Sequence, residues 1–166
     1  MSELLRGVAL VAATITMGLA AGLFYAFAYA VMPGLGRTDD RTFVDAMQRI
    51  NVAILNGWFA IAFGGALVFT IVAAALHLGA GRPVLPWIVA GLVLYGVVLV
   101  ITFAVNVPLN DQLVAAGEPG RIADLAAVRE RFEATWVRWN IARAAASTLA
   151  FGCLTWALVL YGRASS

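Results

Sequence analysis

The chain has 166 residues, of which 63% are hydrophobic and 12% charged, and its formal net charge is +2. That composition lies outside the range of soluble domains and leaves no room for a soluble catalytic domain. All eleven basic residues are arginines, which reads as a composition bias, and they form no basic face, so nucleic-acid binding has no support.

Four apolar stretches dominate, roughly Gly7–Met32, Val52–Leu78, Val84–Val107 and Trp139–Tyr161. Each is about 23 to 27 residues long, and a helix needs about 20 to cross a bilayer core of ~30 Å. Open sheets leave backbone groups unpaired in lipid, and the alternation of a barrel strand is absent. The expected architecture is all-α: one integral membrane domain over residues 1–166, built as a multi-pass four-helix bundle. Glu3 and Arg6 precede an apolar run longer than the core of a secretory signal, so the first stretch reads as a span.

In chain order, Pro33-Gly34 is expected to end the first span, because proline cannot continue a helix. Thr38 then reads as an N-cap, with Asp39 and Asp40 in the first turn where the helix dipole favours acids. No Pro or Gly interrupts 39–56, so the pattern predicts one helix over about 39–78, projecting from the membrane in its first half. The short link Gly79–Pro86 turns the chain into the third span, and Pro108 is expected to break or kink that span near its exit. The stretch Leu113–Gly120 reads as a turn. Residues 122–138 are charged but periodic, so the fourth helix is also expected to start outside the membrane. The extensions of helices 2 and 4 would form a helical cap. Loops 1 and 3 hold Arg37, Arg41, Arg49, Arg121, Arg129, Arg131 and Arg138, against Arg6, Arg82 and Arg163 on the other side. The positive-inside rule then places those two loops in the cytoplasm.

Polar residues converge at the cap end. On the fourth helix, Leu125, Phe132, Trp136, Trp139 and Arg143 share a face, with Asn140 at its border and Ser147 deeper. The third carries Tyr95, Leu99, Thr102 and Asn106, and then Asn110 beyond Pro108. Asn106 and Asn110 are placed to satisfy the carbonyls that Pro108 frees. The second presents Val44, Met47, Gln48, Asn51, Leu55 and Trp58, with Asn56 on another side unless the helix is irregular. The first leads from Gly18 and Gly22, a small-residue packing pattern, to Tyr25, Tyr29 and Met32. Span direction alternates, so these ends lie at one depth. Tyr25, Tyr29, Asn51, Asn106, Asn110, Trp136, Asn140 and Arg143 are expected to line a polar, aromatic-walled chamber. Each alone has a simpler reading: an interfacial aromatic belt, a snorkelling arginine, or helix-capping asparagines.

Several chemistries are excluded or weakened. The one histidine, His77, falls at the opposite face, so neither a histidine metal site nor a catalytic triad can form there. Cys153 has no intrachain partner. No glycine-rich loop suits a phosphate. No stretch carries Asp or Glu, which weakens ion-coupled transport.

The segments Phe24-Tyr25-Ala26-Phe27, Val31-Met32-Pro33-Gly34-Leu35, Ala46-Met47-Gln48 with Ile50-Asn51, and Asn56 with Phe59 form a recognisable series. The most specific parts are Asn106-Val107-Pro108-Leu109-Asn110 and the set Trp136, Trp139-Asn140 and Arg143. In order and spacing the chain resembles the anthrone oxygenase-like family of four-span membrane proteins. The resemblance implies oxidation of an anthrone-like polycyclic aromatic by O₂ in some members, without a conventional cofactor. In that chemistry Arg143, Asn106 and Asn140 would donate to a developing oxyanion. Trp136, Tyr25 and Tyr29 would wall the slot, and Asn51 and Asn110 would position substrate or the other donors; no metal is implied. The competing expectations are a non-catalytic binder of a quinone or lipid-like molecule and a structural subunit of a membrane complex. The partners expected are an apolar small molecule and membrane lipids, with a homo-oligomer left open.

Overall fold

A computed structural model describes residues 2–79 and 83–165 of the chain. Helix α1 runs Ser2–Ala26, passes through a π-helical turn at Phe27–Val31 and closes with Met32–Leu35. Helix α2 is Asp40–Ala53. Helix α3 comprises Gly57–Phe59, a π turn at Ala60–Gly64 and Gly65–His77. Helix α4 comprises Leu85–Ile101, a π turn at Thr102–Asn106 and Val107–Ala115. Helix α5 is an unbroken Leu125–Ser165. No strand occurs among the described residues. Among the described residues, four helices are long and apolar enough to cross a membrane: Glu3–Leu35, Gly57–His77, Leu85–Ala115 and Leu125–Ala164.

Helix α5 is the axle of the bundle, packing along both α1 and α4, while α1 also packs along α3. Buried side chains form two clusters. The larger fills the bundle and includes Leu10, Met17, Phe24, Ile88, Tyr95, Val98 and Leu154. The smaller joins Met32, Phe43, Val44, Met47, Leu113, Phe132 and Trp136, and so binds α2 to the ends of α1 and α4 and the start of α5. This is the expected cap, but α2 and α3 are separate helices rather than one helix over 39–78. The chain breaks at Ile54–Asn56, where Asn56 has extended backbone (φ −131°, ψ 172°). Its Oδ1 accepts from the Phe59 N–H at 3.1 Å, and its Nδ2 donates to the Ala53 carbonyl at 2.7 Å. One asparagine thus closes α2 and opens α3, a break that needs neither Gly nor Pro.

The other boundaries shift for similar reasons. Asp39, not Thr38, caps α2: its carboxylate accepts from the Thr42 N–H at 3.0 Å and the Thr42 hydroxyl at 2.7 Å. The Thr38 hydroxyl instead donates to the Leu35 carbonyl at 2.7 Å. The start of α5 is capped by Asp124, whose Oδ1 accepts from Ala127 N–H at 2.9 Å. Gly117, at φ +90°, follows the end of α4, and the side chain of Gln48 donates to the Leu113 and Gly117 carbonyls there. In the expected turn Gly79–Pro86, residues 80–82 and with them Arg82 lie outside the described residues; Gly79 has φ +74° and α4 already begins at Leu85.

Neither proline breaks its helix. Pro33 and Pro108 each stand two residues beyond a π turn, Phe27–Val31 and Thr102–Asn106 respectively. A proline ring clashes with the carbonyl four residues back, and the wider π turn relieves that clash while the helix continues. The third π turn also has a carbonyl to satisfy, and the buried Tyr95 hydroxyl donates to Phe63 O at 2.8 Å. The cap is latched by Arg129. Its guanidinium donates to Thr38 O at 2.9 Å, Gly36 O at 2.9 Å, Asp40 Oδ1 at 3.0 Å and Glu133 Oε2 at 2.6 Å, and lies 4.5 Å from the Phe43 ring centroid.

Candidate functional site

A cavity of about 370 Å³ lies at the seam between the two clusters. All the long helices contribute: Phe24 and Phe27 from α1, Asn51 from α2, Phe59 and Phe63 from α3, Thr102, Asn106, Asn110 and Asp111 from α4, and Trp136, Asn140 and Arg143 from α5. The volume falls in the range of small-molecule sites, about 300–1,000 Å³, and the lining has their usual make-up of mostly apolar walls with a few polar groups. Val52, Leu55 and Phe103 line it and are themselves exposed, so the opening lies between the α2–α3 break and α4. The three π turns all reach this level: Phe27, Phe63, Thr102 and Asn106 belong to them and line the cavity.

Arg143 is the deepest charged group, 6% exposed. Its guanidinium lies over the Phe24 ring at 4.5 Å and over the Trp136 ring at 5.5 Å. Nη1 donates to the Thr102 hydroxyl at 3.3 Å and Nη2 to Asn140 Oδ1 at 3.0 Å. No carboxylate pairs with it among the described residues. A buried cation supported only by aromatic faces and two neutral acceptors is under-compensated, because desolvating an ion costs several kcal/mol.

Among the described residues, four buried side-chain atoms have no hydrogen-bond partner: Asn51 Nδ2, His77 Nε2, Asn106 Oδ1 and Arg143 Nε. Three of the four belong to residues lining this one cavity. Buried polar atoms are usually paired, so their concentration here marks a place where a ligand's polar groups would complete the pairing.

Six of the eight expected site residues meet here: Asn51, Asn106, Asn110, Trp136, Asn140 and Arg143 all line the cavity. Tyr25 and Tyr29 do not. They are 57% and 63% exposed and face outward from the bundle, their ring centroids 4.8 Å apart. Phe24 takes the inward place. It continues the buried stripe Leu10, Ala13, Met17, Ala20, and that three- and four-residue spacing was the available signal. Phe27 and Phe63, also not anticipated, complete the wall. Trp139 turns outward at 39% exposed while its neighbour Asn140 is fully buried, so the polar stripe of α5 runs through Asn140. Gly22 is likewise open, whereas Gly18 packs against Phe151.

Two donor assignments change with the geometry. Asn140 donates one amide N–H to Phe24 O at 3.1 Å and accepts from Arg143, so it holds the guanidinium in place. Asn106 donates to Trp136 O at 3.3 Å, and its acceptor oxygen is left without a partner. Asn110 accepts from Trp136 Nε1 at 2.8 Å. Asn106 and Asn110 therefore fix Trp136 from two sides rather than serving carbonyls freed by Pro108. His77, at the other end, is buried, its Nδ1 donating to Ala73 O at 2.7 Å. No group of three or more metal-ligating side chains occurs among the described residues.

Comparison with known families matches residues 43–153 to anthrone oxygenase. The chain belongs to the anthrone oxygenase family. The matched stretch holds every cavity residue from α2 to α5, including Asn51, Asn106, Asn110, Trp136, Asn140 and Arg143, while Phe24 and Phe27 precede it. No curated protein and no solved structure matches the chain.

Proposed function

We propose that the cavity binds a flat, apolar aromatic ketone able to ionise, and that the chain oxygenates an anthrone-like substrate with O₂ without a resident cofactor. The observation that carries this reading is the buried Arg143, whose Nε lacks a partner and which no carboxylate neutralises among the described residues. Such a group favours an anionic oxygen on the ligand. An anthrone supplies one: loss of a proton from the carbon opposite its carbonyl gives an aromatic phenolate. The rings of Phe24, Phe27, Phe63 and Trp136 offer apolar walls for the polycycle.

The reaction balances with O₂ as the only oxidant. Arg143 Nε donates to the phenolate oxygen as the carbon–hydrogen bond gives up its proton. The carbanion transfers an electron to O₂, and the resulting radical and superoxide join in a carbon–oxygen bond. The peroxide takes up a proton. Loss of the second hydrogen from that carbon with cleavage of the oxygen–oxygen bond leaves a carbonyl and releases water. One oxygen atom enters the quinone and the other becomes water. Asn140 and Thr102 hold the guanidinium. Asp111 is the one carboxylate of the lining and is exposed, so the first proton leaves to it or to water at the opening.

The test uses metal-stripped protein in detergent, mixed with an anthrone under air while quinone absorbance is followed. Faster quinone formation, lost in Arg143→Ala and under nitrogen, supports the reading; a rate equal to buffer overturns it. Among the described residues the lining offers no buried carboxylate to act as a base, which favours a second reading, a non-catalytic carrier of a quinone or lipid-like molecule. Tight quinone binding without turnover would select it.

The membrane setting is part of the proposal. The four long apolar helices fit a multi-pass protein, and the arginine-rich cap supports a cytoplasmic position for loops 1 and 3. Labelling of Ala126→Cys by an impermeant reagent only after the inner face is opened is the expected result; labelling from outside reverses the orientation.

A further inference from the structure

Of the two fully buried amides of the cavity, Asn106 and Asn140, only Asn106 has an orientation that its surroundings dictate while leaving one end unused. Its Nδ2 donates to the Trp136 carbonyl at 3.3 Å. A carbonyl can only accept, so a flipped amide would set oxygen against oxygen and lose the bond. The side chain is 1% exposed, and Oδ1 is buried without a partner. A buried acceptor without a partner is costly to leave and is satisfied only by a donor. Arg143 contacts Thr102, and Asn106 lies one helical turn from it on the same face of α4, toward Asn110 and the opening.

We propose that Asn106 is the specificity-determining residue of this site, accepting a hydrogen bond from a phenolic hydroxyl carried by an outer ring of the ligand. This rests on the reading of the cavity as an aromatic-ketone site. Arg143 takes the ionised oxygen, and Asn106 takes a proton donor about one turn away. A hydroxyl next to the ketone does not serve, because it donates to that oxygen within the ligand itself. The hydroxyl that Asn106 recognises lies elsewhere on the ring system, where its proton is free. A site built to pair with a hydroxyl rejects the analogue lacking it more strongly than an apolar pocket rejects a missing methylene.

The experiment measures equilibrium binding in detergent without oxygen, so that affinity is read apart from turnover. Three probes are compared: unsubstituted anthrone, an anthrone with a hydroxyl on an outer ring away from the carbonyl, and the methyl ether of that compound. The expected result is about tenfold tighter binding of the hydroxylated probe than of the other two, equivalent to one net hydrogen bond at the upper end of its usual strength. In Asn106→Leu that ratio is expected to fall to about one. Equal affinity for all three probes in the unaltered protein overturns the assignment while leaving the aromatic-ketone site standing; this comparison needs no variant to fold. A preference that survives in folded Asn106→Leu also overturns it. Failure of every probe to bind overturns both this assignment and the reading beneath it.

Discussion

The Arg143 guanidinium lies 4.5 Å from the centroid of the Phe24 ring, joining a cation on α5 to a residue of α1 far away in sequence. The same Phe24 offers its backbone carbonyl to Asn140, one turn before Arg143. Side chain and main chain of one residue therefore hold the charge and the amide that orients it. If this arrangement serves a ligand, Arg143→Met, which keeps most of the apolar volume, should stay folded and bind an anionic aromatic about 10–100-fold more weakly, the scale of a lost charge-assisted hydrogen bond. Thermal unfolding and titration on the same sample check it. A collapse of the fold with no separable binding defect would make the network structural.

The outward placement of Tyr25 and Tyr29 yields a control. Tyr25→Ala and Tyr29→Ala are expected to change ligand affinity less than about twofold, since neither ring lines the cavity and isolated surface changes are usually worth within about ±0.5 kcal/mol. Trp136→Ala, by contrast, removes a wall and the indole N–H that Asn110 accepts, while leaving the backbone carbonyl that Asn106 bonds, and should lower affinity at least about tenfold. Titration of the three variants in parallel distinguishes the faces.

Gly18 and Gly22 separate two meanings of one spacing. A Cβ on Gly18 would come within 2.9 Å of the Phe151 ring, whereas one on Gly22 meets nothing within 4 Å. Gly18→Leu is expected to destabilise by about 1–3 kcal/mol through overpacking. Gly22→Leu should stay within about 0.5 kcal/mol of the unaltered protein. Unfolding in mixed micelles reads both.

The Arg129 latch predicts a local effect. Arg129→Lys cannot reproduce a fork that meets two carbonyls and two carboxylates, so it should behave more like Arg129→Ala than like a conservative change. Hydrogen exchange should rise across Gly36–Ala53 in both variants while the interior of α4 stays protected. Unchanged exchange in Arg129→Lys would show that charge alone suffices.

Acid should loosen the same region. Asp39 titrates below its ordinary 3.8 chiefly because the Thr42 hydroxyl donates to its carboxylate, with the Thr42 N–H second. A folded-state value lowered in this way contributes stability above the unfolded value, and that contribution is lost as pH falls through the folded value. Exchange at Thr42 should therefore rise below the carboxylate range, and Asp39→Asn should remove that pH step.

Much of the fold was legible because hydrophobic run length is read in bulk: four stretches, four long helices. The convergence of Asn106, Asn140 and Arg143 came from alternating span direction. What escaped were local hydrogen-bonding choices. A uniform helical angle cannot foresee π turns, each of which shifts the phase of every later residue in its helix, and the prolines gave no direct sign that the helix would widen before them. Asn56 could be read as a member of a long helix or as its interruption, and only its two contacts decide. Tyr25 and Phe24 are adjacent aromatics; periodicity favours Phe24 for the inward place, whereas polarity favours Tyr25.

The cavity runs along the boundary between the bundle cluster and the cap cluster, which share α5 as their continuous support. A molecule seated there touches both cores at once and acts as mortar between two masonry courses. Heating the unliganded protein should release the cap in an early, shallow transition before the spans part. Saturation with a ligand that bridges the boundary should merge the two events into one steeper step, so the shape of the melting curve would itself report occupancy.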